Sequence, residues 1–262
     1  MFAQPSHPII FAHRGASAHA PENTIAAFLL ALQQGADGIE LDAKLTADGH
    51  VVVIHDQTVD RTTKISGKVG DMPLEALLEL DAGSHFDVAF KGEPIPTLEQ
   101  VLERIGPDVL INIELSNYAS PFDDLPEKVA ALVKRYHTTD RVLFSSFNPL
   151  ALRRVQRLLP DVPVGLLALS GRKGFLARGR FGRLLISYQS LHVGLEDVTA
   201  TLIERVHQNK KKIFAYTVNQ ASDMFRLFDQ EVDGIYTDDP SLARRVIDSI
   251  QESRSHRWGH PA

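Results

Sequence analysis

Along the 262 residues, short apolar runs alternate with segments whose apolar residues recur every three or four positions, and this alternation constrains the fold more than any other feature. The β-type runs fall at Ile9–Ala12, Gly38–Leu45, Val109–Glu114, Val142–Ser145, Val164–Leu167, Ile186–Val193, Ile213–Val218 and Gly234–Thr237. Helical spacing falls between them, at Thr24–Leu32, Thr97–Ile105, Glu127–Tyr136, Pro149–Leu159, Val198–Gln208, Ala221–Asp229 and Pro240–Ser253. In the first of these Ile25, Phe28, Leu29 and Leu32 share a face and Gly35 supplies the stop, while Thr97 and Gln100 have the spacing of a capping box. Strands joined through helices run parallel, and eight of them, most followed by a helix, predict an α/β fold: a closed TIM (β/α)8 barrel rather than an open doubly wound sheet.

One unit departs from the pattern. After the turn at Asp48-Gly49, Val51–His55 reads as a short hairpin strand, and the stretch that follows contains Gly67, Gly70, Gly83 and Gly92. The expectation is a small insertion after strand two, over about residues 57–96, covering one mouth of the barrel within a single domain spanning residues 1–262. A barrel of about 250 residues is an ordinary single-domain size.

Composition narrows the function classes. At 44% apolar and 23% charged residues the chain has the mix of a soluble globular protein with a full core. A net charge of -5 argues against a general electrostatic claim on nucleic acid, so an anionic ligand must be met locally. The absence of cysteine excludes disulfides, thiolate zinc sites and a cysteine nucleophile, and fits a reducing compartment. Met1–Pro8 has no basic segment followed by an apolar core, and no run approaches the length of a membrane helix, so a cytoplasmic location without a transmembrane segment is expected. Oligomeric state leaves no signature in the sequence.

In such a barrel functional side chains gather at the carboxyl ends of the strands. His13 and Arg14 follow strand one, Glu40 and Asp42 lie in strand two, Glu114 ends strand three, and His55 follows the hairpin strand. Glu40 and Asp42 are two apart and point to one face; two carboxylates that close repel unless one protonates or a cation sits between them. Three carboxylates without cysteine indicate a hard oxygen-seeking ion, Mg2+ first and Ca2+ a close second. A solvated strand end or an ion pair with Lys44 is the plainer reading of Glu40 and Asp42. His13 and His55 stand apart from His7, His50, His137, His207, His256 and His260 because each closes an apolar run, which delivers it to a rim. A histidine pair suits phosphodiester cleavage, one imidazole taking a proton and one imidazolium giving it. Arg14 offers a planar fork for phosphate oxygens, or a salt bridge in the barrel wall. No G-x-S-x-G elbow, phosphate loop or dinucleotide fingerprint is present.

Taken in order, His13-Arg14-Gly15, Pro21-Glu22-Asn23-Thr24, Gly38-Ile39-Glu40-Leu41-Asp42, Asp48-Gly49, Val53-Ile54-His55-Asp56 and Ile95-Pro96-Thr97-Leu98-Glu99 resemble the glycerophosphodiester phosphodiesterases. Asn112-Ile113-Glu114, Ser145-Ser146-Phe147, Tyr216-Thr217-Val218-Asn219 and Asp233 to Pro240 continue the resemblance, which runs from about Ile9 to Arg245. It implies a TIM barrel, one divalent cation on Glu40, Asp42 and Glu114, and acid-base work by His13 and His55. It also implies hydrolysis of a small-molecule glycerophosphodiester to glycerol 3-phosphate and an alcohol, the substrate's own hydroxyl attacking first to give a cyclic phosphate. Two positions depart from the family: Ser116 stands where members often carry lysine, and Tyr216 where many carry tryptophan, adding a hydroxyl within reach of glycerol. Phe147 reads as an apolar wall beside the substrate, with core packing as an equal alternative, and His192 as a pocket residue, with a structural role as its alternative. The rival readings are a lyase that forms a cyclic phosphate from a lysophospholipid or sphingolipid, and a non-catalytic headgroup-binding barrel. Arg172–Arg183, five basic residues among Phe175, Leu176 and Phe181 with no acidic one, reads as a solvated loop, with substrate steering or lipid contact as alternatives.

Overall fold

In chain order the elements are β1 (Ile9–Ala12), α1 (Ile25–Gln33), β2 (Gly38–Leu45), β3 (Val51–Val53), α2 (Leu74–Leu78), α3 (Leu98–Arg104), β4 (Leu110–Leu115), α4 (Leu125–Arg135), β5 (Val142–Ser146), α5 (Pro149–Leu158), β6 (Val164–Ala168), α6 (Phe175–Arg178), α7 (Arg180–Leu185), β7 (Ser190–Gly194), α8 (Ala200–Gln208), β8 (Lys212–Tyr216), α9 (Ala221–Asp229), β9 (Gly234–Thr237) and α10 (Pro240–Trp258). The structure, a computed structural model, describes residues 7–105 and 109–258, with side chains described except at 180, 183 and 254–258. Met1 to Ser6, His260, and the side chains of Arg180, Arg183 and His256 therefore lie outside the described residues.

Strands β1, β2, β4, β5, β6, β7, β8 and β9 pair in parallel with their neighbours, and β1 pairs with both β2 and β9, so the sheet closes into the expected TIM barrel. The ninth strand, β3, is antiparallel to the outer half of β2, with Ala43 opposite Val53 and Leu45 opposite Val51.

Alternation along each strand divides the core in two. On β2 the odd residues Ile39, Leu41 and Ala43 face outward into a large cluster with helix residues such as Phe28, Val101, Val129, Leu152 and Met224. Each of the larger of these side chains, fully buried, stabilises the fold by roughly 1.5–3 kcal/mol before entropy is counted. The even residues of β2 face inward. Inside the barrel, Phe11, Phe214 and Tyr236 pack with ring centroids 5.3–6.1 Å apart and join Ile9 and Leu143 as a plug across the amino-terminal half. Any cavity is therefore pushed to the carboxyl ends of the strands.

Capping follows the sequence. Thr97 accepts from the Gln100 amide while the Gln100 side chain accepts from the Thr97 amide, the predicted reciprocal box. The expected strand at Ile186–Val193 is shorter, β7 beginning at Ser190, because Ile186 and Tyr188 are buried outside the barrel before the ladder starts. The basic stretch expected as a solvated loop instead carries the two short helices α6 and α7.

Val52 of β3 and residues beyond it, Ile54, Val59, Val69, Leu77, Ala82 and Ile95, build a small core of their own. This unit is tied to the barrel by β3 and by Glu93, whose carboxylate accepts from the Ala26 amide at 3.0 Å. No helix among the described residues is long and apolar enough to cross a membrane.

Candidate active site

The β1–β9 ladder continues past Ala12, the His13 amide donating to the Thr237 carbonyl at 2.9 Å, and this carries His13 to the mouth. The chain then turns through Arg14 in the left-handed region (φ 57) and Gly15 (φ 85), which aims the Arg14 amide at the Glu40 carboxylate at 2.9 Å. Asn23 is also left-handed (φ 58), and its side-chain amide donates to Asp42 at 2.9 Å. Non-glycine residues in this region are strained by about 1–3 kcal/mol, and here both strained positions hold the same pair of carboxylates.

Glu40 and Asp42 point inward from β2, 4% and 1% exposed, and Glu114 on β4 lies in register with Asp42. The three offer carboxylate oxygens that all lie within 4.8 Å of one another. Burial and the charges of Asp42 and Glu114 push Glu40 well above the usual carboxylate range; burial and Asp42 push Glu114, the least covered of the three, up to about 8. Asp42 stays below its ordinary value: burial alone would raise it, but Arg14, His55, Asn23 and His13 outweigh that. Three buried carboxylates this close cannot all stay ionised unless a cation sits among them, and an all-oxygen donor set of this kind fits a hard divalent ion. Ser116, 2% exposed, sits behind it, donating toward Asp42 and Glu114 at 3.3 Å each, and the Tyr118 hydroxyl donates to Glu114. Lys44, also buried, donates to the Ser116 carbonyl at 3.1 Å instead of pairing with a carboxylate.

Each candidate proton carrier is backed by a carboxylate. His13 Nδ1 lies 2.7 Å from Asp238, whose oxygens also accept from Ser17 (3.0 Å) and Asn219 (2.6 Å). Burial would raise Asp238, but those partners hold it below the ordinary range. His55 Nδ1 lies 2.7 Å from Asp56, which accepts from Arg61 at 2.6 Å. Arg61 in turn forks onto Glu22 at 2.6 and 2.8 Å, and Glu22 accepts from Arg14 at 3.0 Å. One chain of ion pairs thus runs from the β1 turn to the unit beyond β3. Burial would raise Glu22, yet Arg61 and Arg14 pull it down to about 2. With each Nδ1 engaged, Nε2 is the nitrogen each ring has left for the cavity.

The cavity, about 700 Å³, opens at the carboxyl ends of the strands, and His13, Arg14, Glu40, Asp42, His55 and Glu114 are among its lining. Tyr118, Pro121, Phe147, Leu167, Leu169 and Tyr216 give the same cavity an apolar wall. Phe147 packs edge-on against Tyr118 and Tyr216 at 5.8 and 6.3 Å. The Tyr216 hydroxyl, expected to reach for glycerol, donates to the Ala168 carbonyl at 2.6 Å, so Tyr216 offers its ring. His192 forms part of the floor, fully buried, hydrogen-bonded to Ser190 (2.9 Å) and Tyr236 (3.1 Å). Burial pushes it down to about 3, so it is neutral at ordinary pH. Gly165 makes room for that ring: a Cβ there would lie 2.3 Å from His192 Nε2.

Of the residues singled out in the sequence, nine line this one cavity, and Ser116 supports it from behind. Sequence reasoning gave no role to Asp238, Asp56, Asn23, Glu22, Arg61 or Tyr118. Asp56 adjoins His55 and Asp238 follows the last strand, so position alone marks both. Glu22 and Arg61 sit 39 residues apart in separate loops, and nothing in the sequence joins them.

Comparison with known proteins agrees with this geometry. The model of the glycerophosphoryl diester phosphodiesterase family matches residues 13–242. A glycerophosphodiester phosphodiesterase of Caldanaerobacter subterraneus subsp. tengcongensis is 45% identical over 240 residues, covering 91% of this chain and 97% of its own. A Bacillus altitudinis protein of the same name is 35% identical, covering 92% and 99%. Among solved structures, an Oleispira antarctica phosphodiesterase in complex with the product sn-glycerol-3-phosphate superposes with a TM-score of 0.85 at 30% identity, covering 92% of this chain and 97% of its own.

Proposed function

Because this chain belongs to the glycerophosphoryl diester phosphodiesterase family, we propose that it hydrolyses glycerophosphodiesters to glycerol 3-phosphate and an alcohol, using one divalent cation and two histidines. The observation that carries the reading is the meeting of two carboxylate-backed imidazoles with three crowded carboxylates at one mouth. The product held by the Oleispira relative supports glycerol 3-phosphate as the product here. In this reading the chain is one barrel domain, and residues 57–96 are the insertion that follows the His55 hairpin.

Glu40, Asp42 and Glu114 would hold Mg2+ or Ca2+, which when bound supplies positive charge for the phosphate oxygens and lowers the pKa of an attacking hydroxyl. The remaining work falls to the protein. Arg14, held by Glu22 and Asp42, presents a fixed guanidinium to the phosphate. One histidine accepts through Nε2 the proton of the substrate's neighbouring hydroxyl as its oxygen bonds to phosphorus. The other protonates the alcohol oxygen as its bond to phosphorus breaks. The roles then reverse as water adds and opens the cyclic phosphate, leaving both rings as they began. Asp238 and Asp56 keep each Nδ1 proton in place and favour the imidazolium when it forms. The apolar wall of Phe147, Tyr216 and Leu167 keeps bulk water from the reacting face.

The test is turnover of glycerophosphocholine and glycerophosphoethanolamine after EDTA treatment, and again after adding Mg2+ or Ca2+. Activity should vanish with chelator and return with metal, and His13→Ala and His55→Ala should each abolish it while the circular dichroism spectrum stays unchanged. A His13→Ala protein with normal turnover refutes the assigned roles. A cyclic phosphate that accumulates without release of glycerol 3-phosphate favours the lyase.

A further inference from the structure

Beyond Leu169, which lines the cavity, the chain runs directly into the segment carrying α6 and α7. From Ser170 to Leu185 this segment has five arginines and lysines and no acidic residue, in a chain whose net charge is -5. It is a built platform. Arg178 donates to the Leu169 carbonyl (2.7 Å), the Gly171 carbonyl (2.6 Å) and Asp197 (2.8 Å), and Asp197 also accepts from the Gly171 amide at 2.7 Å.

Gly174, just before α6, and Gly182, within α7, are buried, and a Cβ there would lie 1.7 Å from the Leu169 carbonyl and 2.1 Å from that of Ala177. Backbone is pressed against protein at both glycines, and the large side chains are left facing solvent. Leu184 is 78% exposed, Phe175 70% and Leu176 60%, beside the exposed cations Arg172 and Lys173. Large apolar side chains that a fold pins outward mark an interaction surface, and their mixture with cations is the composition of an interfacial lipid anchor.

We propose that this segment docks the mouth of the barrel onto an anionic lipid bilayer, with Phe175, Leu176 and Leu184 entering the acyl boundary and Arg172 and Lys173 meeting headgroup phosphates. Charge selects this occupant over a second copy of the chain. An isologous pairing would set each cationic segment against its own duplicate, and like charges repel, whereas an anionic membrane surface attracts every one of them. The surface adjoins the site through Leu169 but contributes nothing to the carboxylate and histidine cluster, so docking and turnover are separable.

The experiment is co-sedimentation of the full chain with vesicles of phosphatidylcholine alone and of phosphatidylcholine mixed with phosphatidylglycerol. The protein should partition onto the anionic vesicles, less so at high salt. The double variant Arg172→Glu and Lys173→Glu should bind them more than about tenfold more weakly, since each cation is worth about fivefold. The pair Phe175→Ser and Leu184→Ser should also lose binding, and both variants should turn over glycerophosphocholine in solution as the parent does. Absence of vesicle binding by the parent, or undiminished binding by the charge-reversed variant, overturns the proposal. So does a concentration-dependent dimer that the same substitutions dissolve, with no vesicle binding.

Discussion

Replacing Asp238 by asparagine removes one charge and keeps the shape, and the hydrogen bonds around it dictate the outcome. One carboxylate oxygen faces His13 Nδ1 at 2.7 Å and Ser17 at 3.0 Å, and the other accepts from the Asn219 side-chain amide at 2.6 Å. Asn219 cannot turn over cheaply, because its own oxygen accepts from the Asp238 amide at 2.9 Å and from Thr237 at 3.2 Å. An asparagine must therefore put its oxygen toward Asn219 and its NH2 toward His13. Nδ1 then becomes an acceptor, and the ring proton moves to Nε2, the position from which a general base must act. Loss of a charge-assisted hydrogen bond to the imidazolium, about 1.5–3 kcal/mol, lowers the rate about 10- to 150-fold, and the reversed tautomer extends the loss toward about 10⁴-fold. The assay is kcat/KM for glycerophosphocholine beside a thermal melt, with Asp238→Ala for comparison. The melt should move little in the asparagine variant. A parent-like kcat/KM for Asp238→Asn refutes the idea that Asp238 sets the His13 tautomer.

Two further outcomes follow from the same structure. Glu114 is ordinarily half-ionised at 4.5 and here at about 8. Between those values the metal-free folded chain holds a proton that the unfolded chain has released, so its stability falls as pH rises across the window. Melting temperatures in EDTA should fall from pH 5 to pH 8 and recover with Mg2+ or Ca2+, and Glu114→Gln should flatten the slope; an unchanged slope in that variant removes the crowding argument. Gly165→Ala places a Cβ 2.3 Å from a His192 ring that Ser190 and Tyr236 hold from both nitrogens. The ring cannot retreat, so overpacking at the upper end of about 1–3 kcal/mol should lower the melting temperature by about 6–12 °C, and a melt within a degree of the parent contradicts that close packing.

The barrel was legible because its signal is repeated. Each strand's apolar run and each helix's spacing points to the same architecture, and the strand-end rule then placed His13, Glu40, Asp42 and Glu114 at one rim. What stayed hidden is what depends on contacts between distant loops. The Glu22–Arg61 fork joins two segments with no periodicity, and Tyr216 gives up its hydroxyl to a backbone carbonyl on a strand 48 residues away. The turns of α6 and α7 stayed hidden for a related reason: hydropathy alone does not reveal that backbone packs on backbone at Gly174 and Gly182, where a Cβ would lie 1.7 and 2.1 Å from the Leu169 and Ala177 carbonyls.

His55 rides at the end of a hairpin whose far side belongs to the separate small core of Val52, Ile54, Val59, Val69, Leu77, Ala82 and Ile95. The spacing between the two imidazoles is thus set by the fit of a satellite against the barrel, through the Glu22–Arg61 and Ala26–Glu93 clasps. A satellite with so few apolar groups opens at a lower free energy than the body it leans on. Gentle heating or dilute denaturant should therefore silence the enzyme while the barrel's amides remain protected from exchange, which makes catalytic competence the more fragile property of this molecule.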